Sequence, residues 1–77
     1  MGRHREDTFR RYLEALPDEL LESVAEDYVW LADCEFPEEQ PGVEFRRRRE
    51  CCREECIRRG LPHLFRMAED NVHPWAA

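Results

Sequence analysis

The sequence predicts a single all-α domain of three to four helices, about residues 5–16, 17–35, 44–59 and 62–70. Apolar residues recur at helical spacing along the first third of the chain. No proline or glycine interrupts the stretch from Phe45 to Arg59. Proline and glycine fall instead between the periodic segments, where they end helices or start them. The 77 residues suffice for one domain with a thin core, because a chain this short buries only about 60–65% of its unfolded surface.

The first helix, about residues 5–16, is indicated by apolar residues at i, i+3, i+4 and i+7. These residues are Phe9, Tyr12, Leu13 and Leu16. Pro17 disfavours the α conformation at the residue before it, so the helix is expected to stop there. Because proline suits the first position of a helix, and acids suit its positive end, Pro17 and Asp18 predict that a second helix begins immediately.

The second helix, about residues 17–35, is expected to bury a broad apolar face. Its predicted members are Leu20, Leu21, Val24, Ala25, Tyr28, Leu31 and Ala32. Trp30 falls outside that face, among acidic residues and beside Cys34. A large aromatic side chain on a charged face is either covered by another helix or left for a partner.

The third helix, about residues 44–59, follows a predicted loop at 36–43 in which Pro41-Gly42 favours a type II turn. Gly60 suits the left-handed position after a helix, with Leu61 packing back toward Cys56. Pro62 then opens a short fourth helix at about 62–70, and residues 71–77 form a C-terminal tail in which Trp75 is expected to dock on the body of the domain.

The cysteines allow three interpretations. Cys52 and Cys56 share one face of the third helix, which favours two thiols packed in the core. The same i, i+4 spacing also suits two zinc ligands, with Cys34, Cys51 or His63 completing the set. Cys51 lies to one side of that face among arginines, which would activate its thiolate for redox chemistry.

The charge is arranged in blocks within a net charge of −6. Eleven acidic residues and no arginine lie between Tyr12 and Phe45, and eight arginines follow between Arg46 and Arg66. The two blocks are expected to face each other across a helix pair, or the acidic half meets a basic partner. The arginine-rich helix is a weak candidate for nucleic acid, because acids interrupt it and it carries no aromatic stacking platform.

The composition and motifs exclude several classes of function. The histidines form no catalytic constellation and no phosphate-binding glycine loop is present, so an enzyme is not expected. No apolar run is long enough to span a membrane. The beginning of the sequence lacks an apolar secretory stretch, which predicts a cytoplasmic, reducing location.

The sequence therefore favours a protein-interaction module of adaptor, antitoxin or inhibitor type, which binds a basic protein without a cofactor. The expected surface is the outer face of the second helix. It comprises Trp30 with a rim of Glu19, Glu22, Glu26 and Asp33. A zinc-stabilised module is the alternative function, and homodimerisation through exposed aromatic residues is a further option.

Overall fold

The structure, a computed structural model, describes residues 2–34 and 41–72, with side chains from residue 8 onward. Over these ranges the chain forms four α helices and no strand, which confirms the predicted all-α fold. The helices are α1 (Gly2–Glu14), α2 (Asp18–Cys34), α3 (Gly42–Arg58) and α4 (Pro62–Val72). None of the helices in the described ranges combines the length and the apolar character that crossing a membrane requires.

The junction of α1 and α2 differs from the prediction by one or two residues. The α1 helix ends at Glu14, and the Leu16 N–H bonds to the Leu13 carbonyl at 3.0 Å in a tighter turn. The Leu21 N–H donates to the Pro17 carbonyl at 2.9 Å. Pro17 therefore caps α2 and does not occupy its first turn, although it still sets where that helix begins.

The start of α3 departs further from the prediction. Pro41 is the cap, with φ −86° and ψ 3°, and the Phe45 N–H donates to its carbonyl at 3.0 Å. Gly42 is the first helical residue, so the predicted type II turn at Pro41-Gly42 is wrong. Residues 35–40, which include the rest of the predicted loop, lie outside the described residues.

The end of α3 agrees in detail with the prediction. Gly60 has φ 73°, and its N–H donates to the Ile57 carbonyl at 2.9 Å. The Leu61 N–H donates to the Cys56 carbonyl, also at 2.9 Å. This pair of hydrogen bonds is a Schellman motif, which satisfies carbonyls that the helix end leaves without an internal partner.

The α4 helix runs to Val72, so residues 71 and 72 belong to it and not to the predicted tail. The remaining tail, 73–77, including Trp75, lies outside the described residues.

One core joins the four helices. Its buried members are Leu13, Leu21, Ala25, Val29, Cys51, Cys52, Cys56, Phe65 and Ala68. The α2 helix packs closely against both α3 and α4, whereas α1 packs mainly against α3. The predicted apolar face of α2 is correct at Leu21, Ala25 and Ala32 but wrong at Leu20, which is 52% exposed. The buried face is rotated toward Val29, because α3 and α4 both pack on that side.

An arginine clasp fastens the loop between α1 and α2 to the end of α3. Arg59 donates from Nε to Glu55 at 2.7 Å, from Nη1 to Asp18 at 2.8 Å, and from Nη2 to the Leu13 carbonyl at 2.8 Å. Glu55 is only 7% exposed and also accepts two hydrogen bonds from Arg58. The expected meeting of the acidic and basic blocks occurs here between Asp18 and Arg59, and again between Asp33 and Arg49, which lie 3.9 Å apart.

Candidate functional site

Trp30 lies on the outer side of α2, where 56% of its surface is exposed. The prediction that its side chain points away from the core is therefore confirmed. A side chain of this size gains much from burial, so its exposure leaves a large apolar surface unused by the fold.

A groove of about 410 Å³ opens beside Trp30. Its lining is mainly apolar and aromatic, with one acid. The lining residues are Tyr12, Val24, Asp27, Tyr28, Trp30 and Leu31. Tyr12 comes from α1 and is itself 50% exposed, so the groove runs between α1 and α2. The prediction that Tyr12 belongs to the buried face of α1 is wrong, because α1 packs mainly against α3.

The inner wall of this groove is fixed by an arginine–aromatic cluster. The Arg48 guanidinium lies 5.2 Å from the ring centre of Phe9 and 5.8 Å from that of Tyr28. Its Nη1 donates to the Tyr28 hydroxyl at 3.0 Å, and its Nε donates to Glu44 at 3.1 Å. The Phe9 and Tyr28 rings meet edge to face, with their centres 5.4 Å apart and an interplanar angle of 85°. Arg48 therefore ties α1, α2 and α3 together and holds Tyr28 in place.

Only some of the acidic residues predicted to surround Trp30 lie next to it. Glu26 and Asp33 lie one helical turn before and after Trp30, so both are its neighbours on the helix surface. Asp33 is 3.9 Å from Arg49 of α3. Glu19 lies eleven residues before Trp30, about 16 Å along the helix axis.

Glu22 belongs to the border with α4. The Asn71 amide donates to Glu22 at 3.0 Å and to Glu26 at 3.3 Å. Partial burial and the neighbouring Glu26 carboxylate raise the pKa of Glu22 above its usual value. The hydrogen bond from Asn71 acts in the opposite direction and lowers that pKa. The acid that enters the groove is Asp27, which the sequence analysis did not select.

The sequence of α2 holds a signal for the groove. The apolar residues of α2 extend from Trp30 through Leu20 and Leu31 to Val29, about 260° of the helix circumference at 100° per residue. A helix packed on one side buries a much narrower stripe. The apolar residues of α2 that fall outside such a stripe predict an apolar surface that neighbouring helices do not cover.

The three cysteines of α3 are core residues. Cys52 and Cys56 are fully buried, as predicted. Burial, with smaller contributions from Cys56 and Cys51, raises the pKa of Cys52 to about 12. Burial also raises the pKa of Cys56. The thiols of Cys52 and Cys56 therefore stay protonated at neutral pH.

Cys51 does not lie to one side of the core, as the redox interpretation required. It is 3% exposed and belongs to the same buried cluster as Leu13, because α1 packs against that side of α3. A redox thiol needs access to its oxidant, and this burial removes the accessibility on which that interpretation depended.

The predicted zinc set is not brought together. Cys34 at the end of α2 and His63 in the first turn of α4 are both exposed, whereas Cys52 and Cys56 are enclosed. Within residues 2–34 and 41–72, no three His, Cys, Asp or Glu side chains are grouped so that they could hold a metal ion.

The arginine-rich helix is partly neutralised by its own acids. Arg53 pairs with Glu50, and Arg58 pairs with Glu55. Arg46 and Arg47 border a shallow open surface together with Val43, Arg49 and Glu50. Ion pairs at i, i+3 spacing compete with phosphate for the guanidinium groups of Arg53 and Arg58.

Comparisons of the chain with protein-family models, with curated proteins and with solved structures found no match.

Proposed function

We propose that this chain is a non-enzymatic protein-interaction module that binds a partner protein through the outer side of α2. The observation that carries the proposal is the exposed Trp30 at the edge of a groove that already has a fixed inner wall. Tryptophan and tyrosine contribute most of the binding energy in many protein interfaces, because they bury a large area at a low cost in conformational entropy.

The shape of the groove supports a protein partner over a small-molecule substrate. The groove is partly open to solvent, whereas ligand sites enclose most of a small molecule. Trp30 and Tyr12 are exposed at the groove, and the exposed Leu20 extends the apolar surface beyond it, as a protein interface requires. The acids near Trp30 favour a partner with a basic surface.

We propose that this interaction takes place in the cytoplasm. The four cysteines, all among the described residues, form no disulfide with one another, and three of them fill the core as thiols. That use of cysteine suits a reducing compartment.

Site-specific cross-linking tests the proposal. A photoreactive amino acid replaces the half-buried Leu31 in the groove, and a control variant carries it at Ile57, which is 49% exposed and lies on α3. We expect the first variant to capture a discrete protein in the native cell that the second does not. The captured protein is then purified and titrated with the unmodified chain.

Substitution of the indole provides the decisive measurement. Trp30→Ala is expected to weaken the binding of that purified partner by at least about tenfold, with a smaller loss for Trp30→Phe. Ile57→Ala serves as the control and should leave the affinity unchanged. A partner whose affinity for the Trp30→Ala variant equals its affinity for the unmodified chain would contradict the proposal.

A further inference from the structure

A straight strip of side chains on α2 includes part of the groove lining and continues beyond the groove. Val24, Asp27 and Leu31 line the groove. The exposed Leu20 continues the same line one turn further, because the four residues recur at i, i+4, i+7 and i+11. The strip is about 16 Å long, which corresponds to three helical turns. Tyr12 of α1 forms the opposite side. A groove lined by two helices is a surface into which a third helix packs ridge into groove.

The charges of the strip are acidic. Asp27 lines the groove, and Glu26 and Asp33 flank Trp30, while no described residue that lines the groove is basic. An apolar channel with a carboxylate in its lining favours a segment that is apolar on one side and positively charged at its edges.

A second copy of this chain fits the strip poorly. A two-fold symmetric contact through the groove would bring Asp27 and Glu26 of one copy close to the same acids of the other. Like charges placed opposite one another in an interface cost binding energy, and the chain carries a net charge of −6.

We infer that the occupant of the groove is an amphipathic, basic α helix of the partner protein, about three turns long. This inference rests on the proposed function. The apolar side of the partner helix packs between Tyr12 and Trp30, against Val24 and Leu31. Its arginine or lysine residues pair with Asp27 and Glu26. This is the helix-in-groove mode of recognition, in which residues at i, i+3, i+4 and i+7 are the anchors.

Three synthetic peptides of equal length, about four turns, test the inference with the full chain. The first has leucine at i, i+3, i+4 and i+7 and arginine at the flanking positions. The second replaces each arginine by glutamate. The third has the composition of the first, rearranged so that leucine and arginine alternate as in a strand. Each carries a fluorescent label, and binding is followed by fluorescence anisotropy.

We expect the first peptide to bind with a Kd on the order of 10–100 µM and the other two at least about tenfold more weakly. Trp30→Ala should weaken binding of the first peptide about tenfold. Asp27→Asn should weaken it about threefold and reduce the loss of affinity between about 50 and 300 mM salt. Met67→Ala, an exposed apolar residue of α4, should change nothing. Circular dichroism verifies that each variant is folded.

Equal binding of the three peptides, or binding that does not depend on Trp30 and Asp27, would overturn the inference. Sedimentation that reveals a dimer dissociated by Trp30→Ala would assign the groove to a second copy. If the cross-linked partner depends on Trp30 while none of the peptides binds, the proposed function stands and the basic helix is wrong. If the peptides bind as expected but no partner depends on Trp30, the inference fails with the function on which it rests.

Discussion

The two sides of α2 have opposite properties. On one side, α3 and α4 pack closely and bury Leu21, Ala25 and Val29. On the other, α1 packs mainly against α3, and an open groove runs between α1 and α2 past Trp30. Two adjacent leucines mark the boundary, because Leu21 is fully buried while Leu20 is 52% exposed.

The sizes of the side chains account for part of the difference. Small residues fill much of the closed side, among them Ala25, Ala68 and the two thiols of Cys52 and Cys56, and they let the helices approach closely. Larger apolar side chains stay outside, at Tyr12, Leu20 and Trp30. A chain with a thin core gains stability by burying its largest residues. Their exposure therefore favours a role in binding over a role in the fold.

The largest expected effect comes from truncation on the closed side. We expect Leu21→Ala to lower the free energy of unfolding by about 3 kcal/mol, because it removes a fully buried side chain and leaves a cavity between helices. Leu20→Ala is the matched control and should change it by less than about 0.5 kcal/mol, since alanine is a good helix former and that position is half exposed. Urea denaturation followed by circular dichroism measures both. Equal losses at the two positions would show that the two sides of α2 do not differ.

The arginine clasp gives the next effect. Glu55→Gln removes a nearly buried carboxylate that accepts hydrogen bonds from Arg58 and Arg59, and should cost about 2 kcal/mol of unfolding free energy. Glu54→Gln is the control. Glu54 pairs with Arg10 in an exposed position, where an ion pair contributes about 0–1 kcal/mol. A loss at position 54 as large as that at 55 would mean that burial does not distinguish the two pairs.

The clasp also makes stability depend on pH. Hydrogen bonds from Arg58 and Arg59 lower the pKa of Glu55 from 4.5 to about 2, against the effect of its burial. Because the folded-state pKa is the lower one, the contribution of Glu55 is complete above about pH 4.5 and is lost as the pH falls toward about 2. Unfolding measured between those limits should show this loss in the unmodified chain. In the Glu55→Gln variant, the part of the loss that belongs to Glu55 should be absent.

Local signals predicted much of this fold. Gly60 and Pro62 determine where α3 ends and α4 begins, because backbone conformation at these positions is restricted whatever packs nearby. Pro17 likewise separates α1 from α2. The inward direction of Cys52 and Cys56 follows from helical periodicity alone.

The sequence predicted less about which helix covers which surface. Cys51 is buried and Tyr12 is exposed because α1 packs mainly against α3. Helical periodicity arranges residues around one helix but does not say where a neighbouring helix lies. The outward direction of Trp30 was therefore predictable, whereas the groove beside it, with Asp27 in its lining, depends on the tertiary arrangement.

The smallest expected effect is the one that separates binding from folding. Trp30→Ala should change the free energy of unfolding by less than about 0.5 kcal/mol, although it removes the largest side chain in α2. The reason is that the indole lies half in solvent, at the edge of a groove whose inner wall is held by Arg48 and Tyr28 without it. Phe65→Ala, a buried aromatic residue of α4, should cost about 3 kcal/mol in the same urea titration. A loss above about 1 kcal/mol for Trp30→Ala would make the indole part of the fold, and its exposure would then no longer argue for a partner.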